Sequence, residues 1–224
     1  ADYNISGTTG AGPTLESRRL MVRKLIIDSL LHFVTNYHID GFRFDLMSFL
    51  DHETMRQIRD KVGSAYNPNN KSDLILHGEG WLFTDLEQGH TVSEHNKAFT
   101  KSEHPSENLN IALFHDTMRD VVIGHGLSKG LIYGVMPDKT QLLSAISGGN
   151  TLFGQNIHGK TNEHQPDSYH FFAHYPDECL QFLTVHDGFT LWDKINLNTP
   201  NASMETKTRL MRLALAMLFT SQGA

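Results

Sequence analysis

The sequence predicts an α/β fold in which parallel strands are joined by helical crossovers. Two observations predict it. Up to about residue 80 the chain reads in the order helix, strand, helix, strand, and strands that alternate with helices lie parallel, because a parallel pair needs a crossover of about a dozen residues or more. Three predicted strands also finish on an acidic residue: Asp45 in GFRFD, Glu79 in LHGEG and Asp187 in LTVHD. In parallel α/β folds ligands gather at that edge, where strand ends and loops converge.

Residues 1–13 are rich in Gly, Thr and Ser and read as a loop. From about Thr14, the positions Val22, Leu25, Ile26, Phe33, Val34 and Tyr37 recur at helical spacing and predict a long amphipathic helix running to Tyr37. HIDGFRFDLM, residues 38–47, breaks that period. Phe42 and Phe44 alternate with Gly41, Arg43 and Asp45 as in a strand, so the phenylalanines are expected to bury on one face while Arg43 and Asp45 share the other. DHETMRQIRDKVG follows as a helix, with Asp51 as N-cap, Met55, Ile58 and Val62 on one face, and Gly63 just past its end. SAYNPNNKSD is a polar loop, and LILHGEGW a short strand ending in a glycine-flanked glutamate. LNIALFHD reads as a strand and TMRDVVIGHG as a short helix behind it. Residues 85–106 and 124–178 are polar, rich in Gly and His, and long enough to be functional or to carry further elements. CLQFLTVHDG reads as another strand, Ser203 opens a last apolar helix through METKTRLMRLALAMLF, and TSQGA looks like the start of one more strand.

The composition is that of an ordinary globular chain: 224 residues, 39% hydrophobic, with room for one large domain or two small ones. A formal charge of −6 argues against nucleic acid as partner, since a phosphate backbone calls for a concentrated basic face. The strongest basic run, ESRRLMVRK, is interleaved with apolar residues at helical spacing and reads as a solvated helix face. No window approaches about eighteen consecutive apolar residues, so no membrane partner is expected. The single cysteine, Cys179, excludes an internal disulfide framework and leaves the compartment open. Neutral small molecules or neutral polymers fit this balance better.

An arginine and an aspartate inside the apolar run GFRFDLM call for a reason, because a buried charge is costly unless paired or used. Asp45 and Glu79 stand about one strand–helix–strand repeat apart, which allows neighbouring strands, roughly 4.8 Å from one another. That is close to the roughly 5 to 5.5 Å between the two carboxyl groups of retaining glycoside hydrolases, where one carboxylate attacks the sugar carbon and the other carries a proton to the leaving oxygen. Arg43, on the face of Asp45, favours the ionised carboxylate and aims it. The competing reading is a structural Arg43–Asp45 ion pair with Glu79 as a helix cap. Three acidic strand ends in one chain shift the balance toward a site.

These segments resemble the α-amylase superfamily of glycoside hydrolases (family 13), and within it the pullulanase and glycogen-debranching branch. DGFRFDLM is similar to the family's strand-four segment with the nucleophile, GEGW to the strand-five segment with the acid/base, and VHDGFTLWDK to the strand-seven segment with the third acid; YHIDGFRFDLM and LFHDTMRD add family-like context. The resemblance runs over most of residues 14–224. It implies a (β/α)8 TIM barrel, incomplete, from before strand four to the start of strand eight, so that residues 1–224 read as a partial catalytic domain. It further implies that Asp45 is the nucleophile, Glu79 the general acid and then base with a raised pKa, and Asp187 the residue that grips sugar hydroxyls in the transition state, with His186 and Arg43 holding the ring. Trp81 is either a stacking platform for glucose or a core-packing aromatic. The expected partner is an α-glucan, and the expected bond the α-1,6 branch linkage of pullulan, starch or glycogen-derived dextrins. Gly188 stands where pullulanases usually have Asn, as in isoamylase-like and glycogen-debranching relatives, and His115 where Asn is usual. Both put the bond specificity in question, and an isoamylase, glycogen-debranching or α-1,4-acting enzyme is the alternative.

Other chemistries fit less well. In HGKTNEHQPDSYHFFAHYP, His170 and His174 would share a face if helical, but no acidic or Cys partner stands at a convincing spacing, and no acidic loop has a calcium pattern. No metal and no cofactor are expected. A Ser/His/Asp hydrolase lacks a Gly-x-Ser-x-Gly elbow. A non-catalytic glucan-binding fragment keeps the same sugar contacts and predicts binding without turnover.

Overall fold

In the computed structural model, residues 9, 12–81, 99–101, 108–153 and 170–224 are described. They divide into two compact units, residues 1–113 and 114–224. Almost all of the predicted N-terminal loop, most of 85–106, and the first part of the histidine-rich stretch, residues 158–169, lie outside the described residues.

The first unit begins with α1, Leu20–Tyr37, closed by His38 in the left-handed conformation, whose N–H donates to Phe33 O. The helix starts later than Thr14, and its predicted apolar positions are met in part, with Val34 buried and Val22 and Ile26 half-buried. Ile27 and Val34 are buried together with Arg23, whereas Leu25, Phe33 and Tyr37 are exposed. The buried side is set by Arg23, whose Nε donates to Thr54 Oγ1 and whose Nη2 lies 2.9 Å from Asp51 Oδ1. Ser17 Oγ donates to the other Asp51 oxygen at 2.6 Å. This network locks α1 onto the start of the next helix.

β1, Gly41–Phe44, leads through a left-handed Leu46 and the 3-10 turn Met47–Phe49 to α2, His52–Gln57. Asp51 caps α2 as predicted, accepting from Thr54 N–H at 3.0 Å. The helical run continues through a π turn, Ile58–Val62, into α3, Gly63–Tyr66, with Met55, Ile58 and Val62 fully buried. Gly63 therefore lies inside the run and not past it. A side chain there would bring its Cβ to 2.5 Å from Lys71 O, so the glycine serves close approach to the loop before the next strand. Arg59, on the π turn, is 1% exposed and donates to the carbonyls of Lys71, Leu74, Leu109 and Asn110. It thereby fastens the start of β2, Ile75–Gly78, and of β3, Ile111–Phe114. β1, β2 and β3 run parallel, with Phe44 opposite Gly78 and His77 opposite Ala112. The predicted α/β alternation with a parallel sheet is thus present.

The second unit opens with α4, Asp116–Val122, and continues with α5, Lys139–Ser147, β4, Cys179–Leu180, α6, Leu191–Asn198, and α7, Met204–Thr220. Its helices surround Met118, Val121, Val122, Ile132, Ala145, Leu183, Leu191, Ile195 and Ala214, all buried. Ser203 caps α7 as expected, its side chain accepting from Thr206 N–H. The strand predicted over CLQFLTVHDG is much shorter. Strand-like pairing stops at Gln181, Leu183 turns into the helical core, and Gly188 N–H closes a turn onto Val185 O. Beyond α7 the backbone does run like a strand beside β4: Ala224 N–H donates to Cys179 O at 2.7 Å and Gln181 N–H to Ala224 O at 3.2 Å.

Candidate active site

The last paired rung of β1 and β2 is Phe44 opposite Gly78, so Asp45 and Glu79 are the next residues off two neighbouring strand ends. Their backbones stay joined past the ladder: Glu79 N–H donates to Phe44 O at 3.1 Å, and Ser48 N–H to Glu79 O at 3.2 Å. Arg43 links the two acids. Its Nη1 lies 2.5 Å from Asp45 Oδ1, and its Nη2 donates to Glu79 Oε1 at 2.8 Å. The second Glu79 oxygen accepts from Leu46 N–H, also at 2.8 Å. Leu46 has φ 48°, a conformation that costs a residue with a side chain about 1 kcal/mol. That turn is what aims its N–H back at Glu79.

The two carboxylates live in different surroundings. The Glu79 side chain is 6% exposed and that of Asp45 61%. Arg43 and Asp45 are therefore not the buried charges that the apolar run suggested, and Phe42 and Phe44 are only half-buried. Asp45 already lies beyond the last paired rung of β1. Two carboxylates at neighbouring strand ends, bridged by one guanidinium, supply the residue types that a nucleophile and an acid/base require. His77, opposite Arg43 on β2, has its pKa lowered first by burial and then by the Arg43 charge, which keeps the imidazole neutral near pH 7.

Trp81 follows Glu79 by two residues and is half-buried, with Lys101 Nζ 5.0 Å from its ring centroid. Gly80 between them packs on β3: a Cβ there would lie 2.8 Å from Leu113 Cδ1. Asp187 and His186 belong to the second unit. His186 Nε2 stands 3.3 Å from Asp187 Oδ1, and both side chains are exposed, on the turn that replaces the predicted strand end. The described geometry thus brings Asp45, Glu79, Arg43 and Trp81 into one unit and pairs Asp187 with His186 in the other.

His115 is fully buried and takes part in a structural network, with Nδ1 3.0 Å from Gln181 Oε1 and Nε2 3.0 Å from Ser144 Oγ. His170 and His174 do not share a helix face. The backbone from 170 to 174 is not helical, with a bridge from Ala173 to Asn150; His170 Nδ1 lies 2.6 Å from Thr117 Oγ1, and His174 N–H donates to Glu178. Among the described residues no group of three His, Cys, Asp or Glu is arranged to hold a metal ion, and no helix is long and apolar enough to cross a membrane. Two contributors escaped sequence reasoning. The Leu46 N–H depends on a backbone conformation with no sequence signal at a leucine, and Lys101 is separated from Trp81 by a long polar stretch.

No protein-family model matches the chain. Among curated proteins it is 29% identical to Pullulanase 1, chloroplastic, of Arabidopsis thaliana, an alignment covering 92% of this chain and 24% of that one. It is also 29% identical to the pullulanase of Bacillus subtilis, over 97% of this chain and 27% of that one. Among solved structures, the pullulanase of Paenibacillus barengoltzii in complex with maltohexaose and α-cyclodextrin superimposes with a TM-score of 0.74 and 35% identity, covering 100% of this chain and 31% of that one. The chain therefore spans about a quarter of the length of these curated relatives.

Proposed function

The chain being a partial region of a glycoside hydrolase of the pullulanase and glycogen-debranching type, we propose that the protein carrying it hydrolyses α-1,6 branch linkages in α-glucans with retention of anomeric configuration. Residues 1–224 form part of a (β/α)8 barrel catalytic domain in this reading, from before strand four to the start of strand eight. The observation that carries it is the Arg43 clamp across Asp45 and Glu79 at the ends of adjacent parallel strands. Strands roughly 4.8 Å apart suit the roughly 5 to 5.5 Å carboxyl spacing of retaining enzymes, whereas inverting ones need about 6.5 Å or more. The glucan substrate is supported by the maltohexaose and α-cyclodextrin bound to the P. barengoltzii enzyme.

Asp45 attacks the anomeric carbon and forms a glycosyl-enzyme intermediate as the glycosidic bond breaks. Glu79, sheltered, gives its proton to the leaving oxygen and then takes one from the water that releases the sugar. Both Glu79 oxygens accept hydrogen bonds, from Arg43 and Leu46 N–H, and a proton on either displaces one donor. Leu46 is fixed by its backbone, so Arg43 is the donor that yields, toward Asp45. Asp187 and His186 bind sugar hydroxyls, and Trp81 stacks on a glucosyl unit. The test is hydrolysis of pullulan by the full-length enzyme, with the product anomer followed by NMR. Retained configuration is expected, and Asp45→Asn should lower kcat by on the order of 10⁴-fold. An inverted product, or an Asp45→Asn enzyme as active as its parent, refutes the assignment.

A further inference from the structure

The turn that follows Asp45 is fastened to Glu79 at three points. Glu79 N–H donates to Phe44 O at 3.1 Å, Ser48 N–H to Glu79 O at 3.2 Å, and Leu46 N–H to Glu79 Oε2 at 2.8 Å. Met47 and Ser48 are fully buried, and a Cβ at Gly78 would stand 2.5 Å from Phe44 O and 3.1 Å from Met47 Sδ, so the turn lies directly on the end of β2. Leu46, left-handed at φ 48°, closes this clasp. A leucine takes that conformation at a cost, and a β-branched residue is a genuine outlier there. The hydrogen bond it delivers falls on a sheltered carboxylate, where the low local dielectric strengthens it.

A backbone N–H can only donate, so Glu79 Oε2 faces a donor that the fold keeps in place, whereas Oε1 faces the side-chain donor Arg43 Nη2. We propose that Leu46 is a positioning residue for acid–base catalysis: its N–H holds Oε2, and the proton that Glu79 passes is carried on Oε1. That proton goes to the glycosidic oxygen as this oxygen takes the electron pair of its breaking bond to the anomeric carbon, and Asp45 supplies the pair for the new bond. Because Leu46 directly follows Asp45, one turn sets both the end of the nucleophile's strand and the orientation of the acid. This rests on the glucan-hydrolase reading above and adds to it a backbone group that aims the proton. A sugar leaving group, which must be protonated, depends on that aim; a fluoride leaving group, which departs as a stable anion, does not.

The test uses the full-length enzyme with Leu46→Val, which disfavours the left-handed turn, Leu46→Gly, which adopts it freely, and Leu46→Ala, which lacks the leucine side chain but not its conformational cost. Each is assayed by kcat/KM on pullulan and on α-maltotriosyl fluoride, with thermal melting to show that it is folded. Losing one hydrogen bond to the acid should lower the pullulan-to-fluoride ratio of Leu46→Val by about 10- to 100-fold, with Leu46→Ala between it and Leu46→Gly. A folded Leu46→Val enzyme whose ratio stays within about twofold of the parent overturns the inference, as does one that loses equally on both substrates, which is structural damage and not a misaimed proton. If Leu46→Val does not fold, Leu46→Ala and Leu46→Gly decide: the alanine ratio should lie several-fold below the glycine ratio, and equal ratios overturn the inference. A parent enzyme that hydrolyses neither substrate sinks the glucan-hydrolase reading itself; a parent active on both, with variants that keep its ratio, sinks the Leu46 assignment alone.

Discussion

Arg43→Ala tests the clamp most directly. The substitution removes two charge-assisted contacts of unequal worth. The one to Glu79 lies on a carboxylate 6% exposed, where a hydrogen bond to a charged group contributes about 1.5–3 kcal/mol. The one to Asp45 lies on a side chain 61% exposed, where solvent screening leaves about 1 kcal/mol or less. Together they amount to roughly 2–4 kcal/mol of positioning, or a fall of about 30- to 1,000-fold in kcat/KM. Most of the fall should appear in kcat, because the two carboxylates work in the transition state. Arg43→Lys keeps the charge but has no fork to reach both acids, and should recover only part of the loss. The assay is steady-state hydrolysis of pullulan, with circular dichroism and thermal melting to show that the variant is folded. A folded Arg43→Ala enzyme within threefold of its parent would refute the argument, since the clamp would then be a surface ion pair with no bearing on either acid.

Two further outcomes concern stability. Asp51→Ala leaves the Arg23 guanidinium, 10% exposed, without its carboxylate and strips the cap from α2, and should cost about 3–5 kcal/mol in urea unfolding; a cost below about 1 kcal/mol would mean the network is solvated. The hydrogen bond from Arg56 holds the Glu53 carboxyl at about 2, below the ordinary 4.5. A depressed folded pKa stabilises above the unfolded value, so this contribution is whole above pH 4.5 and is lost as the pH falls through about 2. Its ceiling is roughly 3 kcal/mol from the shift, reduced to about 1 kcal/mol for a pair near the surface. Urea midpoints at pH 6 and pH 3 should differ less in Glu53→Gln than in the parent, and equal differences would remove Glu53 from the acid response.

What the sequence made legible was local chemistry. The acidic strand ends at Asp45 and Glu79, the caps at Asp51 and Ser203 and the buried face of Met55, Ile58 and Val62 all follow from patterns a few residues long, and the structure contains each of them. Asp187 has the same signature yet sits on a turn, because the partner of its backbone was never encoded nearby: pairing at β4 stops at Gln181 and Leu183 is taken by a helical core built from distant segments. Arg23 and Arg59 mark the same limit from the other side. As residue types they look like solvated charges, and they are buried because Asp51 and four backbone carbonyls from remote loops converge on them. The candidate site combines both kinds of information. Which residues can do acid–base and nucleophilic chemistry is written in short motifs, but how they are held depends on Arg43 reaching across two strands and on Leu46 turning left-handed. Activity should therefore be more sensitive to Arg43 than its ordinary appearance in the sequence suggests, and stability more sensitive to Arg23 and Arg59 than to the exposed apolar residues of α1.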